Sequence, residues 1–236
     1  YVWKMKSWII LLSFFCIACG NKVSKNNSEF HLQLGDILFQ DLDSSPLCDA
    51  IELVTPGFKN ANLSHIGLVV EIGDIYCSNP EYNPENNIRV LESLPGGVRT
   101  TRIDSFLNRS FDNNGNPKVI VGRIKNKYKN TIPKAIEFVK KQIGKEYDDS
   151  FLLDNEKYYC SELIYEAFAE NSIFKVNPMT FLDPQTKDTL QIWIDYYSKL
   201  DLKIPENELG VNPGSMSLSD NIEIVHLYGT PDGMKK

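Results

Sequence analysis

Beyond residue 35 the chain moves between two hydrophobic periods. Apolar and polar positions alternate, or short apolar runs occur, over 36–39, 64–72, 88–94 and 118–124, which predicts strands. A helical period runs through 131–143, where Ile132, Ala135, Ile136, Val139 and Ile143 share a face and Gly144 supplies the stop. It returns after Cys160, with Leu163, Ile164, Ala167 and Phe168 three, four, seven and eight residues on. Residues 104–109 begin like a short capped helix. Asp183-Pro184 reads as the start of another, with Leu190, Trp193, Ile194 and Tyr197 as its inner stripe, and 222–228 closes the chain as a strand. Pro95-Gly96-Gly97 reads as a hairpin turn and Asn212-Pro213-Gly214-Ser215 as a turn. This mixture predicts an α+β domain.

The N-terminus follows another pattern. Lys4 and Lys6 precede an apolar run over 8–17, too short to span a bilayer comfortably, and Ala18-Cys19-Gly20 follows. The arrangement resembles a bacterial lipoprotein signal, although Cys16 stands where such signals carry leucine, and Met5 can be the natural start. On this reading residues 1–18 are a signal peptide. Cys19 is lipidated, 19–30 form a flexible tether rich in Asn, Ser and Lys, and 31–236 form the domain. A plain secretory signal has a similar outline. The expected location is the cell envelope, outside the cytoplasm and anchored to a membrane by lipid. Cys48, Cys77 and Cys160 then remain, an odd count that fits one free thiol and one possible pair, Cys48 with Cys77.

At 236 residues, 42% hydrophobic and 24% charged, the composition is that of an ordinary globular protein. A net charge of −6, with no basic cluster interleaved with aromatics, argues against nucleic acid as a partner. The histidines and cysteines lack metal-ligand spacing and no glycine-rich loop cradles a phosphate, so neither metal nor other cofactor is implied.

Candidate chemistry begins at Tyr158-Tyr159-Cys160-Ser161-Glu162-Leu163. Asp154-Asn155-Glu156-Lys157 is turn-prone, which puts Cys160 in the first turn of the following helix. Unsatisfied N–H groups there favour a thiolate and can hold an oxyanion. A packed core thiol fits the same stripe. Of the three histidines, His31 lies at the edge of the tether and His226 in an apolar run. His65 sits in an alternating strand with Leu63, Gly67 and Val69 on its face, and Gly67 removes bulk beside the ring. In the strand over 88–94, Glu92 shares a face with Ile88, Val90 and Leu94, which sets a carboxylate in an apolar row. Burying it unpaired would cost several kcal/mol, so it must reach water or a partner such as an imidazole. A shifted register would instead turn it to solvent.

In Leu34-Gly35-Asp36-Ile37-Leu38, Ser64-His65-Ile66-Gly67-Leu68-Val69, Val90-Leu91-Glu92-Ser93, Gly97-Val98, Ile103-Asp104-Ser105-Phe106-Leu107, Gly144-Lys145-Glu146-Tyr147-Asp148-Asp149 and Tyr159-Cys160-Ser161-Glu162-Leu163, the chain resembles the permuted papain-like amidases of the YiiX/YaeF type. These are relatives of the NlpC-type peptidases. The order His, Glu, Cys is the discriminating feature. The resemblance implies a circularly permuted papain-like fold, an antiparallel half-barrel sheet packed against helices, with Cys160 as nucleophile, His65 as general base and Glu92 as the group orienting it. Tyr159 is a weaker candidate for the oxyanion site. The activity implied is amide hydrolysis through a thioester, on an envelope peptide, an amino-acid conjugate or an N-acyl lipid. An acyltransferase with the same residues and a tethered binding lipoprotein with a structural cysteine remain open. Glu146, Asp148, Asp149, Asp154 and Glu156 gather near the thiol in sequence, either as solvated loop charges or as attraction for an amine-bearing substrate.

Overall fold

The computed structural model describes residues 30–73, 87–153 and 155–235. His31–Lys236 forms one compact unit. The segment expected to be a signal, Cys19, Cys77 and Asp154 lie outside the described residues.

The strands are β1 (Ile37–Gln40), β2 (His65–Glu71), β3 (Arg89–Leu94), β4 (Gly97–Arg102), β5 (Val119–Ile124), the short β6 (Asn177–Pro178) and β7 (Leu209–Gly210), and β8 (Ile222–Leu227). The helices are α1 (Pro46–Val54), α2 (Ile103–Leu107), α3 (Ile132–Lys141), α4 (Cys160–Ala167), α5 (Gln191–Lys199) and α6 (Pro213–Ser217). Six strands form one antiparallel sheet in the order β4-β3-β2-β1-β5-β8, and β6 pairs with β7. The fold is α+β.

The pleat sends the two halves of each strand to different neighbours. Ile37, Phe39, Ile66, Leu68, Leu91 and Ile120 join Ala135 and Val139 of α3 and Leu163 and Ile164 of α4 in one core. Full burial of each large aliphatic side chain stabilises by about 1.5–3 kcal/mol. On the opposite face His65 lies across from Gln40, and Gly67 from Leu38. There Gln40 Nε2 donates to the Phe106 carbonyl at 2.8 Å. A Cβ on Gly67 would meet Val90 Cγ1 at 2.5 Å and Phe106 Cε2 at 3.0 Å. The glycine therefore makes room for the aromatic ring that packs on the imidazole, not for the imidazole itself.

The structure corrects the expected elements at several points. Asp183 does not open a helix. Its carboxylate accepts from Gln185 N and Thr186 N in a turn, Lys187 is left-handed at φ 65°, and α5 begins only at Gln191. Trp193 and Tyr197 form its inner face while Ile194 is exposed. Asn212 caps a helix where a turn is expected: its Oδ1 accepts from Ser215 N, and Pro213 occupies the first turn of α6. The Pro95-Gly96 turn does join a hairpin, β3 to β4, with Leu94 opposite Gly97.

Candidate active site

His65 is the first residue of β2, and Glu92 lies on β3, which runs antiparallel beside it with Leu68 opposite Leu91. That register continues to Gly67 opposite Glu92, so the carboxylate and the imidazole share a face, offset by two residues along the strand. Glu92 Oε2 lies 2.7 Å from His65 Nε2, and both side chains are buried. Thr101 Oγ1 donates to Oε1 at 2.5 Å, and Arg109 donates through both terminal nitrogens, at 2.7 Å to Oε2 and 2.5 Å to Oε1. Burial alone would raise the carboxyl pKa. The hydrogen bonds from Arg109 and His65, with their charges, overcome it and hold Glu92 well below the usual carboxylate range.

An ionised carboxylate only accepts, so Nε2 carries the imidazole proton and Nδ1 keeps its lone pair. Nδ1 has no hydrogen-bond partner among the described residues. It is therefore the basic nitrogen of this ring. Phe106 packs beside it with ring centroids 5.7 Å apart, and the Arg109 guanidinium lies 5.1 Å from the Phe106 centroid.

Cys160 is the first residue of α4, as the turn-prone segment before it predicts. The helix entry is fixed from both sides. Glu162 Oε2 accepts from Tyr159 N at 3.2 Å, Ser161 Oγ donates to the Val211 carbonyl at 3.0 Å, and Tyr159 Oη accepts from Val211 N at 3.2 Å. The sulfur lies 3.9 Å from the Ser64 carbonyl and next to the Ile66 amide, the two backbone groups that flank His65. It rests on that carbonyl and makes no hydrogen bond to the imidazole. Burial pushes the thiol pKa up to about 12, against the lowering effect of the Ser161 and Ile66 groups. A neutral S–H donating to Ser64 is the resting form.

The sulfur opens on a cavity of about 520 Å³, whose walls include Ser64, Tyr147, Tyr159, Phe151, Trp193 and Val211. Tyr159, the expected oxyanion candidate, has its hydroxyl oxygen engaged by Val211. The Tyr147 hydroxyl makes no hydrogen bond to protein among the described residues. Burial, with the nearby Cys160 next in effect, raises Tyr147 well above the normal phenol range, so it stays a neutral donor. Glu146, Asp148 and Asp149, near the thiol in sequence, are engaged elsewhere. Glu146 pairs with Lys157 at 2.7 Å, Asp148 accepts from Ser150 N and Leu152 N, and Asp149 Oδ1 accepts from Tyr196 Oη at 3.3 Å. His226 sits on β8, three strands from β2, with its ring against Tyr228, and His31 offers its carbonyl to Arg123.

The family described as permuted papain-like amidase enzymes, YaeF/YiiX, C92, matches residues 31–226. The chain belongs to this family. Its fold is similar to that of a crystal structure titled "metalloprotein yiiX from Escherichia coli O157:H7", with TM-score 0.63 and 22% identity over 85% of this chain and 99% of that one. No curated protein matches the chain in sequence. Family membership supports a cysteine-type hydrolase, and it makes His65, Glu92 and Cys160 the residues to weigh. Arg109 and Tyr147 escaped the sequence reading. For Arg109 the available signal is a buried acid that one imidazole cannot neutralise, followed by an arginine just past a short helix.

Proposed function

We propose that the protein is a cysteine-dependent amide hydrolase in which Cys160 is the nucleophile and Nδ1 of His65 its base. The observation that carries this reading is the convergence of sulfur and imidazole on the same three residues of chain, 64–66, with the ring's other nitrogen fixed by Glu92. The thiol leaves the Ser64 carbonyl and gives its proton to Nδ1, and the sulfur attacks the amide carbon. The first-turn N–H groups of α4 and the Tyr147 hydroxyl receive the oxyanion. Imidazolium returns the proton to the leaving nitrogen as the C–N bond breaks, which leaves a thioester and a free amine. Water, deprotonated by His65, attacks the thioester, the sulfur departs, and a carboxylic acid is released. Glu92 holds the tautomer and balances the imidazolium charge. In turn, Arg109 and Thr101 hold Glu92, and Tyr159 positions the helix start through Val211.

The neighbour's title concerns a metalloprotein. Among the described residues, the acid cluster whose oxygens lie close enough to share a cation is Asp41, Asp43 and Asp232. The Lys118 ammonium already lies 3.1, 2.6 and 3.1 Å from their oxygens and supplies the positive charge an ion would bring. These residues do not fit a metal, and no step is routed through one. We further propose that the domain is lipid-anchored at Cys19 and works at the envelope; incorporation of an alkyne fatty acid that a Cys19→Ala substitution abolishes supports this, and its persistence in that variant overturns it.

Trapping tests the catalytic reading. An acyl-mimicking electrophile should modify Cys160, and His65→Ala should slow that modification at least about 100-fold. Equal labelling with and without His65 would point to a binding protein with a structural thiol.

A further inference from the structure

The cavity beside Cys160 carries information about what the enzyme hydrolyses. Its walls include Ile51, Val54, Phe151, Met179, Phe181 and Trp193, and among the described residues no side chain lining it is charged. The aromatic side is packed edge to face: Trp193 and Phe181 have centroids 4.9 Å apart at 87°, Trp193 and Phe151 6.1 Å apart at 90°. The indole N–H of Trp193 is buried with no hydrogen-bond partner, as in a dry aromatic wall.

Most polar side chains that line the cavity spend their hydrogen bonds inside the protein, the Tyr147 hydroxyl being an exception that is left for the reacting carbonyl oxygen. Thr55 Oγ1 donates to the Ile51 carbonyl at 2.6 Å, and Ser64 Oγ accepts from Leu42 N at 3.0 Å. Ser161 Oγ donates to the Val211 carbonyl at 3.0 Å, and Asn212 Oδ1 accepts from Ser215 N at 2.7 Å. A guest would find contact area here and few free polar partners. Charged groups buried in such a place stay unpaired and lose their hydration without compensation. An envelope stem peptide with free amino and carboxyl groups is therefore a poor fit, whereas a volume of about 520 Å³ suits one apolar substituent.

Resting on the amidase reading, we infer that this cavity is an acyl pocket, which takes the uncharged apolar acyl chain of an N-acyl amide and leaves the amine outside. An ammonium released inside would meet no carboxylate in the described walls, while outside it faces a chain of net charge −6. Through both chemical steps the chain stays in the pocket, since the thioester keeps it on Cys160 while water replaces the amine.

The test uses the full chain in detergent and amides of one fluorogenic amine, with straight acyl groups from acetyl to decanoyl and with lysyl and glutamyl groups. Rising chain length should raise kcat/KM about fourfold per methylene until the cavity is full. Lysyl and glutamyl amides should fall at least roughly tenfold below an apolar acyl group of similar length. Val54→Trp, on the α1 wall, should move the optimum to shorter chains. A rate independent of chain length, a preference for charged acyl groups, or an unmoved optimum in Val54→Trp overturns the pocket and leaves the amidase reading in place. Binding of the same amides to Cys160→Ala, read as a thermal shift, separates the two claims. If that variant binds longer chains more tightly while the wild type cleaves none, the pocket stands and the hydrolase fails; if neither protein binds or cleaves any of them, the pocket is overturned.

Discussion

Glu92 Oε2 and His65 Nε2 lie 2.7 Å apart with both side chains buried, and this contact fixes which imidazole nitrogen is basic. Glutamine at 92 keeps the shape but leaves a single acceptor oxygen, for which His65 Nε2–H, Thr101 and Arg109 must compete. It also removes the negative charge that balances imidazolium. Glu92→Gln should lower kcat roughly 100-fold or more with KM little changed, because the lost interaction matters chiefly once the imidazole is charged. Steady-state kinetics on any hydrolysed amide checks this, and an unaltered kcat removes Glu92 from the mechanism.

Arg109 is the larger of the partners that keep Glu92 ionised, and its guanidinium is only about one-fifth exposed. Arg109→Met leaves a buried carboxylate with half its compensation and should destabilise the fold by about 3 kcal/mol. The pH dependence carries a sign. Glu92 has a folded pKa below its ordinary 4.5, so its contribution is present above pH 4.5 and lost as pH falls below it. With Arg109 gone the folded value rises toward 4.5 and that loss shrinks. Urea unfolding at pH 7 and pH 4 should show a smaller acid penalty in Arg109→Met than in the wild type.

The contrast between His65 and Arg109 shows what sequence patterns can carry. Alternation over 64–72 and 88–94 predicts two strands and the face that His65 and Glu92 each take within its own strand, because a two-residue period is local and leaves its mark in neighbouring letters; the register that brings the two together is not written there. Arg109 reaches Glu92 from a loop after α2 through a long side chain, and no local period records such a reach; its one signal is the need of a buried acid for a second cation. α5 fails for a different reason. Asp183-Pro184 has the chemistry of a helix start, yet the Asp183 carboxylate serves a turn equally well, and only the left-handed Lys187 decides between them. At Cys160 the letters place the residue at a helix start but say nothing of its rotamer, which turns the sulfur to the Ser64 carbonyl.

That rotamer has a kinetic consequence. With its pKa pushed up to about 12 by burial, the free enzyme holds a neutral thiol at pH 7 in place of a thiolate–imidazolium pair. Alkylation of Cys160 by iodoacetamide should climb about tenfold per pH unit between pH 7 and 10, with no plateau at low pH. Peptide mapping distinguishes it from Cys48, the other described cysteine. A plateau below pH 7 would reveal a preformed thiolate. Cys160→Ala should abolish turnover and shift Tm by no more than about 4 °C, since little volume is removed.

Glu52, on α1, is buried beside Ser64, the residue whose carbonyl holds the thiol, and its Oε1 has no hydrogen-bond partner. Burial pushes its pKa from 4.5 up to about 8, with nearby Asp41 and Asp49 adding to the rise. The folded state thus binds a proton that the unfolded chain releases near pH 4.5. Between pH 4.5 and 8 that proton makes unfolding easier as pH rises, by at most about 1.4 kcal/mol per pH unit. Glu52→Gln keeps the neutral shape and removes the titration, so its stability should decline less over this range than that of the wild type. Chemical denaturation of both proteins at pH 5.5, 6.5 and 7.5 measures the difference. Parallel profiles would mean that Glu52 is already ionised in the folded protein, with a cation or water at Oε1.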